Sequence, residues 1–140
     1  MIEYRRSGRP PTEDAIALYR DTTLAERRPV GDPARMDRML SNANVVITAY
    51  DNDRLVGLSR AMSDFGWVCY VADLLVDREW QGQGVGRELM RLTHEVAGGE
   101  DDITLILVAA PEADSYYPAI GFDKISEGWR RQRRRSHASA

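Results

Sequence analysis

Apolar and polar positions along the chain follow two periods. Val85, Leu89, Leu92 and Val96 recur at spacings of four, three and four, which gathers them on one face of a helix that Gly98-Gly99 would end. Val45–Tyr50 and Leu55–Ser59 are β-branched, apolar runs on either side of Asp51-Asn52-Asp53, so they predict a hairpin. A second turn near Asp64–Gly66 leads into Trp67–Val76, a long apolar run interrupted by Asp73. Ile103–Ala109 is nearly all apolar, which predicts a central strand covered on both faces. Nearer the start, Ile2–Tyr4 predicts a short strand. Thr12 is placed to cap a helix to about Asp21, with Glu13 and Asp14 in its first turn, where the helix dipole favours acids. Asp32 before Pro33 reads as the N-cap of a second helix to about Leu40. Ala113–Ile120 predicts a short helix and Phe122–Ile125 a closing strand.

That order predicts an α+β fold with a mixed, mostly antiparallel central sheet and flanking helices. The unit from Trp67 to Ala109 is expected to be parallel strand–helix–strand with a right-handed crossover. With 140 residues, one domain over 1–140 is expected. No apolar stretch is long enough to span a bilayer and no leader pattern opens the chain, so a cytoplasmic protein without a membrane partner is expected. Cys69 is the only cysteine; in an apolar strand it reads as a buried, inert thiol. The formal net charge of −3 argues against nucleic acid as a partner. The arginines at 130, 131, 133, 134 and 135 are the local exception, and residues 130–140 read as a loose, solvated basic tail. His94 falls off the apolar face of its helix and reads as solvated; with only two histidines, no metal is expected.

The chemistry begins at Asp77–Leu89, "DREWQGQGVGREL", where Gly82, Gly84 and Gly86 alternate just before a helix. Glycine permits positive φ and removes the Cβ that would keep a ligand off the main chain. A helix start adds free N–H groups and partial positive charge, so the pair makes a seat for phosphate. A plain turn with glycines for packing is the simpler alternative. A P-loop is excluded because Arg87 and Glu88, not Lys and Ser/Thr, follow the last glycine. A dinucleotide fingerprint is excluded because the spacing is G-x-G-x-G.

Val76-Asp77-Arg78-Glu79-Trp80-Gln81-Gly82-Gln83-Gly84-Val85-Gly86 resembles the signature V-x-P-E-[YW]-[QR]-G-x-G-[IV]-G of the GNAT superfamily of N-acetyltransferases, with Arg78 for the frequent proline. Tyr117-Pro118-Ala119-Ile120-Gly121-Phe122 is similar to that family's Y-x-x-x-G-F. Leu55–Asp64, with Asp73 before Leu74-Leu75-Val76, further resembles the arylalkylamine (serotonin-type) acetyltransferase branch and its bacterial relatives.

The resemblance implies acetyl-CoA as co-substrate and a small-molecule primary amine as acceptor, joined by direct attack in a ternary complex. It places the diphosphate on the amides of Gln81, Gly82, Gln83, Gly84, Val85 and Gly86, with Arg87 alongside. The pantetheine arm is expected against Leu74, Leu75 and Val76, where the fourth strand splays from the next one, and a bulge is the usual device. Tyr117 matches the tyrosine that protonates the leaving thiolate. Tyr116 stands where relatives carry phenylalanine, so its ring is expected in the core. Asp73 is costly inside an apolar strand unless partnered; it reads either as the amine's proton acceptor or as a structural group paired with an arginine such as Arg60. The family's acceptor segments correspond to Thr23–Arg35 and Asp64–Trp67, with Trp67 and Trp129 as aromatic walls. Relatives carry a cofactor-contacting asparagine where this chain has Ala110 and Ala113. Homodimers are common among such folds. Two alternatives stay open: a protein lysine or N-terminus as acceptor, and an acyl-CoA sensor without turnover.

Overall fold

The computed structural model describes residues 1–135. Five strands, β1 (Ile2–Arg5), β2 (Val45–Asp51), β3 (Arg54–Ser63), β4 (Val68–Val76) and β5 (Thr104–Leu107), form one sheet in sequence order. The first four pair antiparallel. β4 and β5 pair parallel and are joined through helix α3 (Val85–Ala97). The other helices are α1 (Thr12–Arg20), α2 (Pro33–Asn42) and the single turn α4 (Tyr116–Ala119). The mixed α+β architecture is the one the apolar periods predict.

Local chemistry explains most element ends. Asp32 Oδ1 accepts from the Arg35 N–H at 3.1 Å and Pro33 opens α2. Asn52 takes a left-handed φ of 53° in the β2–β3 turn. One oxygen of Asp64 accepts from the amides of Gly66, Trp67 and Val68 and so shapes the next turn. Thr12 differs from expectation: the N-cap of α1 is Pro11, and Thr12 sits inside the first turn. Its hydroxyl donates to Asp37 Oδ1 at 2.8 Å, tying α1 to α2.

The sheet is covered on both faces. α3 buries Val85, Leu89 and Leu92 against Ile47, Val56, Cys69 and Val71. On the other face α1 and α2 pack Leu18, Tyr19, Met36 and Leu40 over Val46, Leu58 and Leu75. Each fully buried large aliphatic contributes about 1.5–3 kcal/mol, and these two layers hold β4 rigidly between them.

Three expectations fail at the C-terminal side. Ile103–Ala109 is not a central strand covered on both faces: its regular part, β5, is the sheet edge. Leu105 and Leu107 pack toward α3, whereas Ile106 and Val108 are 38% and 65% exposed. Among the described residues nothing beyond β5 extends the sheet, because Phe122–Ile125 is not a strand. Gly121, at φ 99°, turns the chain, and the Phe122 N–H bonds back to the Tyr117 carbonyl at 3.0 Å. Ala113–Ile120 is not one helix but a 3₁₀ turn, Pro111–Ala113, followed by α4. Residues 130–135 of the basic tail are exposed, and the expectation for 136–140 lies outside the described residues. Among the described residues no helix is long and apolar enough to cross a membrane.

Candidate active site

The register between β3 and β4 jumps from Arg60↔Asp73 to Ala61↔Val71, leaving Ala72 without an opposite residue. This bulge bends β4. β4 stays paired with β5 only over Val68–Val71. From Ala72 onward its outer edge has no neighbouring strand among the described residues, and the two strands part. A cavity of about 420 Å³ opens there, lined by Val71, Leu74 and Val76 of β4, Leu107 and Val108 beside it, and Tyr117 of α4. Leu75 points the other way into the α1–α2 core, so it offers the cavity only its backbone.

β4 leads straight into the glycine turn. Asp77 fixes the exit: its N–H donates to the Val56 carbonyl, Oδ1 accepts from the Glu79 N–H, and Oδ2 accepts from Arg54. The Gln81 side-chain amide donates to the Val76 carbonyl at 2.9 Å and that of Gln83 to the Glu79 carbonyl at 3.0 Å, folding the loop back on itself. Gly82 and Gly84 have φ of 77° and 85°, and a Cβ on either would meet nothing within 4 Å. The turn therefore leaves open space beside its own backbone. Gly84 is the left-handed N-cap of α3, whose first amides lack intrahelical acceptors.

Gly86 is different. A Cβ there would run into the Tyr116 hydroxyl, so that glycine makes room for a side chain of α4. Tyr116 is accordingly not a core ring; it is 37% exposed, with its hydroxyl over the first turn of α3. Arg87 Nη2 donates to the Ala119 carbonyl at 3.1 Å, a second tie between α3 and α4. Val85 is buried beneath the turn.

Asp73 lies behind the bulge with its side chain fully buried. Oδ2 accepts from Arg60 Nε at 2.7 Å and from the Tyr19 hydroxyl; Oδ1 accepts from Arg28 Nε at 2.6 Å. Arg28 Nη2 also donates to the Ala72 carbonyl at 2.9 Å, the group the bulge leaves unpaired. Burial, followed by the adjacent Asp73 charge, pushes the Tyr19 phenol far above its ordinary range. It is therefore a donor to the carboxylate at any working pH. Arg60 was accessible to sequence reasoning as a cross-strand neighbour; Arg28 and Tyr19 were not, because they stand 45 and 54 residues away with no periodic mark.

Tyr117 packs edge-on against Phe122 and Tyr116. Burial first, then Tyr116 and Asp73, raises its phenol pKa, so it holds its proton at neutral pH. Of the two sequence candidates for proton transfer, Tyr117 stands in the cavity wall, whereas Asp73 is buried behind the bulge and does not line the cavity. Ala110 and Ala113 also line the cavity. Of the expected acceptor segments, Thr23–Arg35 contributes Thr23, Leu24 and Arg28, while Asp64–Trp67 contributes nothing. Trp67 and Trp129 are 75% and 98% exposed and stand outside the cavity, so they are not its walls. His94 is not solvated either: it is half-buried, with Nε2 2.6 Å from the Ile103 carbonyl. Cys69 is buried, and burial pushes its thiol pKa up.

Several known proteins are similar to this chain. An uncharacterized N-acetyltransferase, ycf52, of Pyropia yezoensis is 29% identical over 64% of this chain and 53% of its own length. The chloroplastic GCN5-related N-acetyltransferase 2 of Arabidopsis thaliana is 33% identical over 54% of this chain and 29% of its own. The chain thus spans about half or less of these curated relatives. Among solved structures, a probable acetyltransferase from Staphylococcus aureus superposes with a TM-score of 0.74 at 26% identity, covering 95% of this chain and 100% of its own. AAC(6')-Iy, solved with a CoA-linked bisubstrate analogue, superposes at 0.71 with 14% identity over 96% of this chain and 99% of its own, a likeness of fold alone. The family model for the acetyltransferase (GNAT) domain matches residues 17–135, so this chain, with its splayed β4 and glycine turn, belongs to the GNAT acetyltransferase family.

Proposed function

We propose that the protein is an N-acetyltransferase that moves an acetyl group from acetyl-CoA to a primary amine of a small molecule, by direct attack in a ternary complex. The observation that carries this reading is the continuity of three features: a slot where β4 leaves β5, an open glycine turn at its end, and Tyr117 in its wall. They fit the group that acetyl-CoA presents. The turn from Gln81 to Gly86, with Arg87 beside it, offers amides to a diphosphate. The unpaired edge at Leu74–Val76 offers backbone donors and acceptors to a peptide-like arm. When bound, acetyl-CoA supplies an activated thioester at the splay.

The chain's own residues then have defined tasks. Leu74 and Val76 keep water from the slot. An N–H near Leu75 or Val76 stabilises negative charge developing on the carbonyl oxygen. Holding both reactants in one cavity supplies much of the acceleration. Tyr117 donates its proton to the departing sulfur, a role suited to a phenol kept neutral. Asp73, engaged by two guanidiniums and a phenol, acts on the acceptor through Arg28 and the Ala72 carbonyl, with water carrying off the amine proton.

The test pairs a CoA titration with a thiol-release assay across an amine panel. Binding in the micromolar range with turnover of at least one small amine supports the reading. Replacing Gly84 with valine in a folded protein is expected to weaken CoA binding at least tenfold, because a β-branched residue at left-handed φ is strained by more than 1 kcal/mol. Unchanged affinity would sink the diphosphate assignment. Binding without turnover on any amine would favour a sensor. A second reading, a protein acceptor, is favoured by one relative, the histone acetyltransferase TAP1 of Glycine max, 32% identical over 56% of this chain; turnover on peptides but not on free amines would select it.

A further inference from the structure

The acceptor end of the cavity has two walls that belong to different layers. One is the β4 bulge, where Ala72 has no opposite residue on β3. The other is the 3₁₀ turn Thr23–Arg27, which gives the cavity Thr23 and Leu24. The hydrogen bonds that shape this turn are short-range: Thr22 Oγ1 donates to the Tyr19 carbonyl at 2.8 Å and accepts from the Leu24 N–H at 3.2 Å. Leu24 also packs beside the α1–α2 core. Neither of those hydrogen bonds reaches β4.

Arg28 does reach it. The residue follows the turn with extended backbone, at φ −135° and ψ 153°. Each nitrogen of its guanidinium is engaged. Nε donates to Asp73 Oδ1 at 2.6 Å, Nη2 to the Ala72 carbonyl at 2.9 Å, and Nη1 to the Arg27 carbonyl at 2.8 Å. The planar fork thus joins the turn to the bulge through one rigid group. Its anchor is itself fixed, since Arg60 Nε holds Asp73 Oδ2 at 2.7 Å and the carboxylate is fully buried. With its nitrogens committed in this way, the guanidinium has none unengaged for an anionic group on the acceptor.

We infer, on the acetyl-transfer reading above, that Arg28 is a positioning residue: it sets the gap between the Thr23–Arg27 turn and the Ala72 bulge, and so the line along which the amine meets the thioester. Ala72 stands two residues before Leu74, where the unpaired edge that takes the pantetheine arm begins. Slack at the bulge is carried to the thioester, and misplacement on the order of 1 Å costs about a hundredfold in rate. Lysine does not replace the fork, because a single ammonium holds Asp73 or the Ala72 carbonyl from one point, without the planar geometry that fixes both. The diphosphate seat lies outside this linkage: Asp77, held by Arg54 at 2.6 Å, fixes the exit into the glycine turn independently.

Arg28→Lys and Arg28→Ala separate the fork from the charge. Both should fold, because Arg60 and Tyr19 still serve Asp73, and thermal melts should place the lysine variant closer to wild type. On an amine that the wild type acetylates, both should lower kcat about tenfold to a hundredfold and raise the acceptor KM, while CoA affinity stays within about threefold. Hydrogen exchange without substrate should be faster at residues 22–28 in both variants and unchanged in α3. Millimolar methylguanidinium should restore much of the kcat of Arg28→Ala, and methylammonium should not. A lysine variant with wild-type kcat, or rescue by either cation alike, would overturn the inference, since charge alone would then suffice. So would a loss confined to amines that carry a carboxylate, which would make Arg28 a contact of the substrate, or a loss of rate with exchange at 22–28 unchanged. A wild type that acetylates no amine sinks the acetyl-transfer reading and this positioning with it; an active wild type whose variants keep their rate sinks the positioning alone.

Discussion

Replacing Asp73 with asparagine separates the two roles open to that carboxylate. It is wholly buried and serves Arg60, Arg28 and Tyr19 together. Asparagine keeps the shape and one acceptor oxygen but removes the charge. The Arg60 guanidinium, only 10% exposed, then loses its one buried counter-charge. Stranding a buried charge in this way costs about 3–5 kcal/mol. Arg28 adds little to that figure, because its side chain is 24% exposed and water can reach it. For a domain of this size the loss corresponds to a fall in Tm of roughly 10–15 °C. Urea and thermal unfolding followed by circular dichroism measure it. Tyr19→Phe, which removes one hydrogen bond to the same carboxylate, should cost less, about 1.5–3 kcal/mol. Activity measured well below the new Tm should keep the wild-type pH–rate profile. A variant that loses under about 1 kcal/mol while its pH–rate profile shifts would refute the reasoning: Asp73 would then be the proton acceptor, and its arginines incidental.

Tyr117→Phe should lower kcat by about 10²–10⁴ while leaving CoA affinity within a few-fold. Because burial raises that phenol, the wild-type enzyme should keep its acid through neutral pH and lose activity only as pH climbs past the ordinary tyrosine range; a decline attributable to Tyr117 below pH 10 would contradict this. Gly86→Ala should push the exposed Tyr116 hydroxyl off α3, and because only the end of that side chain must move and alanine favours the helix, the net loss should stay within about 1 kcal/mol. Adding Tyr116→Phe, which removes the clashing oxygen, should recover most of that in thermal melts, and non-recovery would mean the glycine serves something else.

Much of this protein is legible in its sequence because the signals are local. The period of Val85–Val96 sets α3, the Asp51–Asp53 turn sets the hairpin, and Asp32-Pro33 starts α2; each depends on neighbours within a few residues. The glycine turn is legible for the same reason, since positive φ at Gly82 and Gly84 is a property of single residues. What the sequence could not settle depends on groups far apart along the chain. Ile103–Ala109 has the composition of a covered strand, but composition does not say whether a neighbour arrives, and here the chain turns away at Gly121. Gly86 looks like its two companions until α4 lays Tyr116 across it. The slot itself exists because one residue, Ala72, is left over when β3 and β4 pair, and register belongs to the pair of strands rather than to either one. Asp73 acquires its partners in the same way: α1, the segment before α2, and β3 each deliver one group to a buried point, and only the closed fold brings those three together.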